Sequence, residues 1–192
     1  MVIAPRDNQS AKSHSINIEH HTSDELSLFK TIEGIPFYCQ PYTPVQSVLF
    51  CLEFTNYKPD LIVSGINKGY NMGIDTFYSG TVAVAREATL RKINSIAISL
   101  AYDYEESDLE YVRKILEVIL KEKLYSDEYT LNVNVPKGIK NFKYGFSAVD
   151  SIFESGLTDQ KLINQKIISL TPISVKMTDY KALDILNKNF DN

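Results

Sequence analysis

Cysteine, glycine and positive charge are all scarce in this chain of 192 residues. Cys39 and Cys51 are its 2 cysteines, forming neither a disulfide framework nor a zinc pattern. Both stand among apolar or aromatic neighbours and read as core thiols. Lys and Arg total 20 against 24 Asp and Glu, a formal net charge of −4. That balance leaves no basic field for wrapping nucleic acid. No apolar run approaches the ~20 residues of a membrane-spanning helix. "MVIAPRDNQS" has no basic segment followed by a long apolar stretch, so it does not read as a secretory signal, and the expected compartment is the cytoplasm. At 44 % hydrophobic, the chain can bury a core, and one domain is the natural expectation. Of only 8 glycines, half fall between Gly65 and Gly80, where an apolar run ends and a helical pattern begins.

The order of elements defines the class. "MVIAP" reads as a short strand, "DNQSAKSHS" as a polar loop, and "IPFYCQ" as a strand. "TPVQSVLFCLEFT" carries helical periodicity, with Thr43 as N-cap and Pro44 at the first helical position. "DLIVSG" suits a strand buried on both faces. A helix over "SGTVAVAREATLRK" and a buried strand over "INSIAISLAY" follow. "SDLEYVRKILEVILKEKL" gives the strongest helical pattern, with Ser107 as its expected cap. "YTLNVNVP" is a further strand. Beyond Lys137 the signals weaken to strands in "FKYGFSAV" and "KIISLTPISVKM" and a final helix in "DYKALDILNKNF". This rhythm predicts an α/β fold with a Rossmann-like, largely parallel sheet and helices on both faces.

In such sheets, ligands gather beyond the carboxyl ends of the strands. "LIVSGIN" ends a strand, and "YSGT" opens the next helix. A helix N-terminus offers unpaired backbone N–H groups and partial positive charge, which suits a phosphate. Ser79 and Thr81 add hydroxyls, and Gly80 permits close approach to the backbone. The same residues also make an ordinary helix cap, and both readings stay open. Asn67 and Asn71 can bind a hard metal or a phosphate, or simply build turns. There is no G-x-x-x-x-G-K-[ST], and "GINKGYNMG" has the wrong spacing for a dinucleotide-binding turn.

The joint pattern is more specific. "VIAPRDNQSAKSHSIN", "YTPVQSV", "PDLIVSGINKGYNMGIDTFYSGTVAVAREA", "INSIAISL", "LNVNVP" and "ISLTPI" occur in one order with sensible gaps. This resembles the SurE family of survival-protein 5′/3′-nucleotidases, metal-dependent phosphatases with a Rossmann-like fold. The resemblance implies hydrolysis of a nucleoside monophosphate or another small phosphomonoester. It implies Ser10 and Asn67 as ligands of a divalent metal, Mg²⁺ or Mn²⁺. It also implies Asn71, Ser79, Gly80 and Thr81 as the pocket for the substrate phosphate, with Asp75 as a possible accessory acid.

The chain departs from that family in several places. The family's first strand, ending in N-D-D-G with paired metal-binding aspartates, has no counterpart, so the catalytic residues are unassigned. Met1 falls within what resembles the second strand. A core over 1–136, lacking the first strand and helix, and a shortened extension over 137–192 are expected. The shortening cuts back hairpins that help such proteins associate, and a homodimer stays open. Gln46 replaces a usual aspartate, and Asp7 reads as a solvated loop residue. His14, His20 and His21 read as surface histidines. With two neutral ligands, metal affinity is expected to be weak. Two readings therefore stand: a phosphatase, or an inactive relative that keeps a phosphate-binding turn and acts as a binding protein.

Overall fold

The computed structural model describes residues 1–18, 22–152 and 155–190. His20 and His21 lie outside the described residues. Among the described residues, eight strands and six α-helices follow one another: β1 (Val2–Pro5), β2 (Ser27–Ile32), β3 (Ile35–Gln40), α1 (Pro44–Phe54), β4 (Leu61–Lys68), α2 (Asp75–Tyr78) and α3 (Gly80–Leu90). Then come β5 (Asn94–Leu100), α4 (Leu109–Glu122), β6 (Tyr129–Val135), β7 (Tyr144–Phe146), α5 (Asp159–Asn164), β8 (Ile168–Ser174) and α6 (Tyr180–Phe190). No helix among the described residues is long and apolar enough to cross a membrane.

The central sheet has the order β4-β5-β6-β8-β7. Its pairs are parallel except β6 with β8, which run antiparallel. Why helices cover both faces is written in the alternation of β5. Ile96, Ile98 and Leu100 project into one core with Val112, Ile115 and Ile119 of α4. Ala97, pointing the other way, meets Val82 and Ala85 of α3. Large side chains thus fill the space under α4, while small ones let α3 lie close to the sheet.

Three elements were not legible beforehand. β2 pairs antiparallel with β3, and Glu33 and Gly34 between them both take positive φ, the geometry of a two-residue hairpin turn. α2 and α5 are single short turns whose helical period is too brief to register. The expected cap Ser107 lies instead within a 3₁₀ turn over Glu106–Asp108, and α4 begins after Asp108. There Glu105 N–H donates to the Asp108 carboxylate at 2.9 Å, so the reciprocal cap is built on Glu105, two residues before Ser107.

The largest departure concerns β4. Its apolar composition predicts burial on both faces, yet it is an edge strand, with Val63 46 % and Ile66 48 % exposed. β1, β3 and β2 form a separate three-stranded sheet in the order β1-β3-β2. α1 packs on both β1 and α3 and so ties the two sheets together. Between the facing edges of β1 and β4 lies a cavity of about 500 Å³, lined also by Val48 and Cys51 of α1 and by Thr81 and Val84 of α3. Burial raises the Cys51 thiol pKa above its ordinary value, in keeping with an inert core thiol.

Gly65 sits where the β4–β5 register shifts, between Ser64 and Asn67. Its φ is +127°, and a Cβ there would meet the Ile98 carbonyl oxygen at 2.4 Å. No side chain fits without displacing β5. We expect Gly65→Ala to cost about 1–3 kcal/mol, read as a lowered urea midpoint with an unchanged m-value.

Candidate functional site at the ends of β4 and β5

β4 delivers Asn67 to the start of α3. The Thr81 hydroxyl donates to Asn67 Oδ1 at 3.2 Å, and Asn67 Nδ2 donates to the Gly69 carbonyl at 2.8 Å. Ser79 caps α3, its hydroxyl oxygen accepting the Val82 N–H at 3.1 Å. The cap and the helical ladder leave the N–H groups of Gly80 and Thr81 as the outward donors of this terminus. The structure gives Gly80 a packing duty as well: a Cβ there would lie 2.9 Å from Pro44 Cγ. A bulky residue at 80 would therefore push α3 from α1, besides blocking any ligand.

Asn71 is held inward. Its backbone N–H donates to Asn134 Oδ1 at 2.8 Å, and its carbonyl accepts from Asn132 Nδ2 at 2.7 Å and Asn134 Nδ2 at 3.1 Å. Its own Nδ2 donates to the Ser99 hydroxyl at 2.7 Å. The residue is only 6 % exposed. Such an amide fixes the turn it belongs to. The partners were missed in the sequence, although "NVNV" within a buried strand does place two asparagines on one face.

A second anchor was also missed. Asp159, fully buried at the start of α5, accepts from Gly73 N–H at 3.2 Å, Asp150 N–H at 3.0 Å and Gln160 N–H at 2.8 Å. Burial raises its carboxyl pKa, while the three backbone donors oppose the rise. The Thr76 hydroxyl donates to the Gly73 carbonyl at 2.7 Å. The glycine-rich loop is thus pinned at Asn71 by β5 and β6, and at Gly73 by α5. Asp75, the first residue of α2, is exposed.

The loop after β1 reaches the same helix end. Ser13 donates its N–H to the Tyr78 carbonyl at 3.0 Å and its hydroxyl to the Phe77 carbonyl at 2.6 Å. Ser10, three residues earlier, is exposed, its N–H donating to Asn8 Oδ1 at 3.0 Å. Gln46, fully buried, accepts the Asn17 N–H at 3.0 Å and donates to the Asn17 carbonyl at 3.1 Å. In place of an acid, it is a loop clamp. His14 is no idle surface histidine: its Nε2 lies 2.8 Å from Glu87 Oε2, and Arg91 Nε lies 2.8 Å from Glu87 Oε1. The hydrogen bond to His14, with a further bond to Arg91, holds the Glu87 carboxyl below its ordinary pKa against the pull of burial. No group of three or more His, Cys, Asp or Glu able to hold a metal occurs among the described residues.

An open, mostly parallel α/β sheet with a pinned glycine-rich loop beside a helix N-terminus defines an α/β protein of the Rossmann-like class, in which ligands generally gather beyond the strand ends. Residues 1–153 match the family model for Survival protein SurE, and the chain belongs to that family. It is 34 % identical over 231 residues to the protein named 5′-nucleotidase SurE of Natranaerobius thermophilus, a match covering 100 % of this chain and 88 % of that one. Its identity to the protein of the same name from Clostridium beijerinckii is 33 %, covering 99 % and 88 %. The crystal structure of the SurE protein from Aquifex aeolicus superposes with a TM-score of 0.78 at 24 % identity, covering 100 % of this chain and 88 % of that one, and shares the fold.

Two outcomes are expected. Asp159→Asn turns an N–H donor toward one of three N–H groups, so it should cost about 1–3 kcal/mol and speed hydrogen exchange at Gly73. Glu87, with its folded pKa depressed, contributes stability that is present above its unfolded value near 4.5 and lost as pH falls through the folded value. Glu87→Gln should therefore flatten the acid limb of a stability–pH profile measured by urea unfolding.

Proposed function

We propose that this chain recognises nucleoside monophosphates and hydrolyses them as a phosphatase, with the phosphate seated at the start of α3. The observation that carries the proposal is the Thr81–Asn67 hydrogen bond, which joins the end of β4 to the helix terminus inside a family whose relatives bear the name 5′-nucleotidase. In this reading, Gly80 and Thr81 N–H groups and the helix dipole hold the phosphate, the Ser79 hydroxyl donates to it, and the Thr81 hydroxyl turns from Asn67 Oδ1 to the phosphate on binding. Asn71 acts by fixing the loop opposite. During phosphoryl transfer, the same donors would stabilise charge spread over the equatorial oxygens.

A divalent ion, Mg²⁺ or Mn²⁺, would supply an activated water and charge neutralisation in such a reaction. The donor set of this chain does not fit a tightly held one. Ser10 and Asn67 are neutral, and Asn67 Oδ1 already accepts from Thr81. That donor set favours a second reading, a phosphate-binding relative with little turnover of its own.

Both readings are tested together. AMP or inorganic phosphate binding, followed by calorimetry, should weaken about fivefold in Thr81→Val, the value of one hydrogen bond near 1 kcal/mol. Turnover of p-nitrophenyl phosphate and AMP with Mg²⁺ or Mn²⁺ separates the readings, and slight turnover beside intact phosphate binding would remove the first. Robust turnover abolished by Asn67→Ala would establish a complete site and remove the second reading. Unchanged binding in Thr81→Val would remove the seat.

A further inference from the structure

The geometry points to an ordered water enclosed on the polar face of the central sheet, held between β6, β8 and α3 by Asn132 Oδ1, Ser169 Oγ and Arg86 Nε. Among the described residues, these three buried side-chain atoms lack a hydrogen-bond partner. Asn132 and Ser169 are both fully buried. A buried polar atom left unpaired carries its full desolvation penalty, and native proteins regularly satisfy such atoms with internal water.

Strand register sets two of the three side by side. β6 and β8 pair Asn132 with Thr171 and Asn134 with Ser169, so all four project from one face. Asn132 and Ser169 are then diagonal neighbours, with Cβ atoms about 7 Å apart or less. The other two members of the square are engaged elsewhere: Thr171 with the Ser147 hydroxyl at 2.8 Å, and Asn134 with the backbone of Asn71. Nor can the Asn132 amide turn over to help itself. Its Nδ2 already donates to the Asn71 carbonyl at 2.7 Å, which leaves Oδ1 directed away from Asn71 and in need of a donor.

Helical geometry brings the third atom. Thr81, at the start of α3, bonds Asn67 at the end of β4. Thr89, near the end of α3, bonds Ser95 and Thr130 at the starts of β5 and β6. Arg86 lies about 140° round the helix from Thr81, on the flank away from β4 and toward β6 and β8. It stands one turn before Thr89, and helical side chains lean toward the N-terminus of their helix. Its stem therefore runs from the level of Thr130 toward that of Asn132.

The donor and acceptor set selects the ligand. Asn132 Oδ1 only accepts, Arg86 Nε only donates, and Ser169 Oγ does either. The guanidinium repels a cation, and the amide oxygen repels an anion. Water donates and accepts at once, makes about three bonds in buried sites, and bridges polar atoms about 4.5–5.5 Å apart. Bound here, it fixes the amide plane of Asn132 and with it the grip on Asn71.

Occupancy is independent of the phosphate reading and is measured on the full chain without substrate. A high-resolution crystal structure should show one water within about 2.6–3.2 Å of both Asn132 Oδ1 and Ser169 Oγ. Deuterium relaxation dispersion of the solvent, which counts long-lived internal waters, reads the same site in solution. Ser169→Val puts methyl groups where the water sits, so it should remove the density and one water's share of the dispersion. Arg86→Leu alters a residue that is only partly buried, and keeps the fold measurable if Ser169→Val does not fold. With one bond fewer, the water in Arg86→Leu should exchange about fivefold faster. Crystals soaked in bromide should give no anomalous peak at the site. A direct bond from Ser169 or Arg86 to Asn132 Oδ1 with no density between them, a bromide peak there, unaltered density in Ser169→Val, or unaltered exchange in Arg86→Leu would each overturn the proposal.

Discussion

The loop between β4 and α2 depends on the side chains of Asn132 and Asn134. They project from the face of β6 opposite its apolar core and grip the backbone of Asn71 from both sides, donating to its carbonyl and accepting its N–H. A glycine-rich loop is entropically expensive to order. Buried amide bonds to its backbone fix it where no side-chain packing could. With Asn71 pinned, Gly73 can reach Asp159, α2 can turn, and the start of α3 faces the end of β4. The site is thus held by polar groups on a scaffold held by apolar ones.

That division runs through the central sheet. On one side, Ile96, Ile98, Leu131, Val133, Ile168 and Leu170 join the core beneath α4. On the other, Ser95, Ser99, Thr130, Asn132, Asn134, Ser169 and Thr171 are buried too. Thr89 of α3 bonds within this layer to Ser95 at 2.7 Å and to Thr130 at 3.0 Å. Buried hydroxyls and amides are tolerable only when paired. The paired groups of this layer specify one placement of α3 and the loop, where an apolar layer would accept several, while Asn132 Oδ1 and Ser169 Oγ are buried without a partner among the described residues.

The N-terminal loop is organised by the same means. Its contacts with α1 and α3 come from Gln46, Thr43 and Glu87, each a polar group reaching a backbone or a histidine. Ser10 itself stays exposed, and Ser13 ties the loop to Phe77 and Tyr78.

The sequence by itself determined the α/β class, most of the strands and helices, and family membership, because apolar periodicity and glycine placement are local signals. It also drew attention to the Ser79–Thr81 turn and Asn67, which the fold brings together at the end of β4. Tertiary structure alone decided what those residues do. Nothing near Asn71 announces that the partners of its backbone lie more than sixty residues away in β6, and "GLTDQ" does not reveal that Asp159 binds Gly73. Nor could periodicity place β4 at an edge: a run of Leu, Ile and Val reports the burial a strand is composed for. Which neighbours it has depends on the chain that packs beside it. Hydrogen bonds between distant elements and the order of strands in a sheet are properties of the assembled fold, and no local pattern encodes them.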